Sequence, residues 1–544
     1  MTFKGADLGA SWRQGVSILL ASAALAAGLG FVPAGALAQD LADTFRTTVA
    51  EATGDDQAVA SFYRDRDYAT LWTGAADSAR RAALFAALDG AAAHGLPEAR
   101  YDAAGLRAAF AAVQSESQRA RLEVRVSKAF LTYARDVQTG FLVPSQIDPG
   151  IVRAVPVRDA RAMLDQFAAA DPAAFLQGLP PASPEYAELQ KARYDLEAAI
   201  TRGGWGPKVE AKSLKAGASS PAVIALRDRL VAEGYLAASV TQTYDDDIAG
   251  AVQQFQADNG LTADGEAGEG TVVEINRSPE DRLKSVLVAM ERLRWMNGLP
   301  MGDRYVWVNL PDFTVKIFDE GKETFRSVTV VGMNQPDRRS PEFSDQMEML
   351  VINPKWSVPR SITVKEYLPM LQKDPMAQRQ LKIVDRHGQL VDRTQVDFNQ
   401  FDEHNFPFSM SQDPSDDNAL GLVKFLFPNP WNIYLHDTPS KSLFRKEVRA
   451  FSHGCIRVGK PFDFAYALLS RQSADPKGLF QSVLATRRET VLKLDQPVPV
   501  HLVYFTAWPD AMGHMTYRRD VYGRDGRIFA AMQAAGVVLP GVQG

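Results

Sequence analysis

The 544-residue chain has one cysteine, set in the run Ser452-His453-Gly454-Cys455-Ile456-Arg457-Val458. A thiol with an unperturbed pKa of about 8.5 is only slightly ionised at neutral pH, so a cysteine nucleophile needs a base beside it. Two histidines are candidates. His453 precedes the thiol by two residues, and His436 closes the run Asn432-Ile433-Tyr434-Leu435-His436 upstream. In extended segments alternate residues share a face, which groups Tyr434 with His436, and Cys455 with Arg457. Gly454 lets a substrate carbonyl approach the backbone closely. The Gly454 and Cys455 amides then become donors to a developing oxyanion, worth about 3–4 kcal/mol for a single donor. Arg457 offers a planar, two-pronged grip on a substrate carboxylate.

Each residue also has a structural reading. Cys455 has a lesser reading as a buried core thiol, His436 as a histidine closing a strand, and His453 reads evenly as pocket wall. Ser452 reads as a turn hydroxyl, Tyr434 as core packing and Arg457 as the partner of a surface acid. Cys455, His453, His436 and Asp437 together also form a possible zinc ligand set, although no H-E-x-x-H helix accompanies them.

The surrounding chain bears on these choices. A net charge of -5, with 46% apolar and 23% charged residues, describes an ordinary folded protein with no basic field for nucleic acid. Lys4 and Arg13 flank a small-apolar run at 16–32, and Ala36-Leu37-Ala38 follows as a cleavage site. This is the pattern of a secretory signal over residues 1–38, and it predicts a periplasmic protein without a lasting membrane anchor. An unpaired cysteine in an oxidising compartment needs a reason, and thiolate chemistry is one.

The elements that would position the site follow from periodicity. Residues 39–210 read as a helical scaffold, with Val126, Phe130, Tyr133 and Val137 on one stripe. Residues 211–280 form a small unit, its first helix opened by Ser220-Pro221 and its second following Asp245 to Asp247. Residues 281–303 read as a helical connector. From 304 to 510 the period changes to two, giving a mainly β domain that ends in a strand from His501 to Trp508. Residues 359–430 break that pattern as a polar insertion, read as a lid, and 511–544 read as a tail. His94, His387, His404, His501 and His514 have no evident partners and are assigned no role.

HDTPS at 436–440 and SHGCIRV at 452–458, at this spacing, resemble the L,D-transpeptidase catalytic domain. With YVWVNLPDFTVKIF, INPKWSVP and HLVYFTAW, the likeness extends to the large periplasmic subgroup with a capping insertion. VIALRDRLVAEGYL and AVQQFQADNGLTADGEAGEGTV resemble a three-helix peptidoglycan-binding domain. The implied fold is multidomain α+β: helical scaffold, small three-helix peptidoglycan-binding-like domain, and mainly β catalytic domain with a lid. The resemblance implies Cys455 as nucleophile, His436 as base oriented by the Asp437 carbonyl, and His453 as a group shaping the pocket. Gly454, Asp437 and Tyr434 are then oxyanion or orienting groups, and Arg457 and Ser452 bind substrate. No cofactor or metal is implied. The partners are peptidoglycan stem peptides as donor and acceptor, joined 3→3 through a thioester that carbapenems are also expected to form. Water or an outer-membrane protein as acceptor would make the enzyme a carboxypeptidase or an anchoring ligase. A non-catalytic wall-binding scaffold is the remaining alternative.

Overall fold

The computed structural model describes residues 34–539. The basic and apolar parts of the expected secretory signal lie outside the described residues. Among those described, no helix is long and apolar enough to cross a membrane.

The helical region packs around Glu116–Thr139, whose stripe Val126, Phe130, Tyr133 and Val137 is fully buried. Ser115 caps it by accepting from the Gln118 amide. Helix Pro279–Met296 belongs to this same core. The connector expected at 281–303 is therefore corrected: Leu283, Val286, Leu287, Met290 and Trp295 are buried against the scaffold. Its charges mislead a sequence reading because they pair inside. Glu291 and Arg294 are both wholly buried and 2.6 Å apart, and Glu291 also accepts from Trp295 Nε1 and the Leu142 amide. The expected tail is likewise corrected. Residues Met515–Tyr517 pair with Ala507–Pro509, and helix Arg524–Ala534 sends Ile528, Phe529 and Met532 into the scaffold core.

Helices Pro221–Ala232, Asp246–Asp258 and Glu269–Ile275 enclose a separate small core of Val223, Leu226, Ile248, Val252, Phe255 and Ile275. Ser220 and Asp245 cap the first two. This unit docks on the β domain, where Thr262 donates twice to Glu447 and Arg518 donates to the Asp258 carbonyl at 2.7 Å.

Nine strands form the main sheet: β1 Arg304–Asn309, β2 Thr314–Asp319, β3 Lys322–Gly332, β4 Phe343–Ile352, β5 Val423–Leu426, β6 Leu435–His436, β7 Ala450–Ser452, β8 Ile456–Val458 and β9 Thr490–Val503. Their order is β7-β3-β8-β6-β5-β4-β9-β1-β2, and β2 also pairs with β3, closing the sheet on itself. Val306, Val308, Leu350, Phe425, Leu435, Ile456 and Leu502 fill the interior. The last strand is β9. It starts well before His501 and stops at Val503, after which the chain leaves for the C-terminal hairpin.

The insertion has a core of its own. Strands Trp356–Ser357, Ser409–Gln412 and Lys382–Val384 pair in that order. Leu368, Leu371, Ile383, Phe398, Phe406 and Met410 pack beneath them. The insertion ends sooner than the 430 expected, because β5 at Val423–Leu426 already belongs to the main sheet.

Candidate active site

Two short neighbouring strands carry the chemistry. β6 and β8 run parallel, with Leu435 opposite Ile456 and His436 opposite Arg457. Leu435 and Ile456 face the interior, so the alternate residues Tyr434, His436, Cys455 and Arg457 face the other way. All four line a cavity of about 710 Å³, whose opposite wall is made by Ile362, Glu366, Tyr367 and Leu420 of the insertion.

His436 is buried, and its Nδ1 lies 2.5 Å from the Asp437 carbonyl. Nδ1–H donates there, which leaves Nε2 as the basic nitrogen. Burial, then the Arg457 charge, push the imidazole down to about 3. Cys455 is half-buried, and burial pushes its thiol up to about 11. The Tyr434 amide and hydroxyl oppose that rise. Sγ donates to the Asn432 carbonyl at 3.5 Å and makes no hydrogen bond to His436. Burial thus favours the neutral form of both the thiol and the imidazole.

The loop around Cys455 bears on three expectations. Ser452 is 2% exposed, and its hydroxyl donates to the Cys455 carbonyl at 2.5 Å while accepting from the Gly454 amide at 3.1 Å. It lines the cavity, but its hydroxyl is spent on tying the turn together. The same bond engages the Gly454 amide, so that group is not free as an oxyanion donor. His453 turns toward the insertion, with Nε2 2.5 Å from Glu366 Oε1, and Glu366 also holds Arg338 at 2.7 Å. Gly454 remains necessary for its backbone, with φ +114° and Ile433 in close contact.

A buried frame holds this loop from behind. Ser340 Oγ donates to the Gly454 carbonyl at 2.6 Å, and Tyr522 Oη donates to the Gly332 carbonyl at 2.5 Å. Arg524 donates to the Ser340 carbonyl at 3.1 Å.

The Asp437 side chain is braced as well. It accepts from the Leu422 and Thr438 amides at 3.0 and 2.7 Å and pairs with Lys441. Gly421 has φ +61°, and a Cβ there would collide with the Asp437 carboxylate. Gly421→Ala is expected to lower stability by about 2 kcal/mol or more. It should also lower turnover by displacing the carbonyl that orients His436; thermal unfolding and a rate assay on one preparation check both.

Sequence reading missed Lys424, Glu366, Arg338, Ser340 and Trp431. Lys424 lies opposite His436 on β5 and lines the cavity. The alternation Val423, Phe425, Phe427 marked its strand, but it fell within the expected lid. Nothing local marks Glu366 or Ser340. Among the described residues no group of three or more His, Cys, Asp or Glu side chains converges as a metal ligand set. His453, one of the four residues of the zinc alternative, faces Glu366. The remaining histidines pack or pair locally, as when His501 meets Ser344 and His94 meets Tyr186.

Three family profiles match the chain. Residues 303–498 match "L,D-transpeptidase catalytic domain", 219–274 match "Putative peptidoglycan binding domain" and 57–192 match "Scaffold domain". A Haemophilus influenzae protein described as "Putative L,D-transpeptidase" is 33% identical over 225 residues, covering 41% of this chain and 45% of the relative. The chain thus matches less than half the length of that relative. Solved L,D-transpeptidases from Xylanimonas cellulosilytica and Stackebrandtia nassauensis are 13% and 15% identical, with TM-scores of 0.17 and 0.20. Both alignments cover 55% of this chain, and 98% and 97% of those chains.

Proposed function

We propose, for a chain whose residues 303–498 carry an L,D-transpeptidase catalytic domain, that it joins peptidoglycan stem peptides 3→3 through a thioester on Cys455. The observation that carries this reading is the Cys455 thiol and the His436 imidazole on one face of adjacent strands, inside one cavity. The donor's third-residue carbonyl lies over Sγ. The thiol proton passes to His436 Nε2 as sulfur attacks, and the same nitrogen returns it to the departing D-Ala amine. A side-chain amine of a second stem then attacks the thioester, forms the new amide and restores the thiol. The Tyr434 hydroxyl and the Cys455 amide are the donors to the oxyanion, since Ser452 engages the Gly454 amide. Arg457 holds a donor carboxylate, and His453 shapes the pocket through Glu366.

The three-helix unit docked beside the β domain supports a wall substrate, and the signal-like N-terminus supports a periplasmic location. The test is mass spectrometry of products from residues 39–544 with disaccharide-tetrapeptide, beside Cys455→Ala. Dimers linked between third residues, lost in the variant, are expected. Tripeptide without dimers would make the acceptor water or a missing protein. Products unchanged in the variant would overturn the nucleophile.

A further inference from the structure

The face of the sheet that carries the thiol holds a row with one member the proposed chemistry has not used. Lys424 on β5, His436 on β6 and Arg457 on β8 stand directly opposite one another. Lys424 and Arg457 are two strand spacings apart, about 10 Å. Both line the cavity with His436 between them. The two carboxylates of that lining are already neutralised, Asp337 by Lys365 at 3.3 Å and Glu366 by Arg338 at 2.7 Å. Arg457 Nε is buried without a hydrogen-bond partner. Burial lowers the Lys424 amine's pKa, and Glu489 opposes this only through space. A half-buried cation without a partner is unfavourable until an anion reaches it.

We infer that Lys424 is a specificity-determining residue which binds the free carboxylate of the donor's departing residue, while Arg457 holds a carboxylate on the acyl side. The assignment follows from the order of the row and rests on the transpeptidase reading above. Arg457 shares a strand with Cys455, so the acyl portion of the donor lies on that side. His436 must reach the departing nitrogen, and the next group beyond His436 is Lys424. A donor extended by one residue, or ended by a carboxamide, presents no anion there and leaves the ammonium buried and unpaired.

Calorimetric titration of the full chain carrying Cys455→Ala tests this without turnover. The ligands are a tetrapeptide stem with a free terminal carboxylate and the same stem as its terminal carboxamide. The carboxylate form is expected to bind at least about tenfold more tightly. Adding Lys424→Gln should bring the two within about twofold by weakening the carboxylate form alone, and Lys424→Arg should restore most of the preference. Arg457→Gln should weaken both ligands alike. A preference that survives Lys424→Gln, or no preference in the parent, overturns the assignment. If neither ligand binds the parent, the stem-peptide reading itself falls, and this assignment with it.

Discussion

His436→Ala is expected to reduce acyl transfer by about 10²–10⁴-fold while leaving the alkylation of Cys455 by iodoacetamide nearly unchanged. The two reactions ask different things of the site. Alkylation samples the resting thiol, which donates to the Asn432 carbonyl and is pushed up to about 11 by burial. Its rate should therefore climb about tenfold per pH unit through neutrality, with no plateau until near that value. No histidine inflection should appear, because the imidazole is pushed down to about 3 and stays neutral throughout. On the proposed mechanism transfer needs the His436 Nε2 lone pair at the moment sulfur attacks, and alanine removes it. An alkylation plateau near neutral pH that vanished in the variant would mean a preformed thiolate–imidazolium pair, contrary to the geometry seen here.

Glu291→Ala should destabilise the protein by about 3–5 kcal/mol, although it lies in the helical core and not in the catalytic cavity. Both members of the Glu291–Arg294 pair are wholly buried. Removing the carboxylate strands a guanidinium that it holds through both Nε and Nη2, and also frees Trp295 Nε1 and the Leu142 amide. The remaining partners of Arg294, the His94 carbonyl and the Tyr186 hydroxyl, bring no negative charge. Calorimetry should show a markedly lower unfolding temperature, and replacing Arg294 with leucine in the same background should recover part of the loss. An unchanged transition would mean that helix Pro279–Met296 is a connector after all.

The placing of Cys455 and His436 on one face was legible because its signal is local. Cys455 is the lone cysteine, and period-two alternation around Tyr434 and His436 fixes which side chains share a face. The helical stripe on Glu116–Thr139 and the caps at Ser220 and Asp245 were legible for the same reason. What escaped depends on contacts between residues distant in sequence. Ser452 looked available until the Cys455 carbonyl and Gly454 amide closed on its hydroxyl. His453 looked like a neighbour of the thiol until Glu366 arrived from the insertion. Glu291, Arg292 and Arg294 are charged yet lie inside, held by one another and by Leu142, Tyr186, Glu342 and Asp525 from other segments. Lys424 was hidden by a misplaced boundary, since a long polar insertion masks the four-residue strand that ends it.

The frame behind the Cys455 loop reaches it from the far end of the chain. Cys455 and His436 emerge before Tyr522 and Arg524, which hold Ser340 and, through its hydroxyl, the Gly454 carbonyl. A chain clipped before Tyr522 carries the thiol but not the brace that sets its turn. Packing of the C-terminal helix on the scaffold is therefore the contact that completes the turn around Cys455.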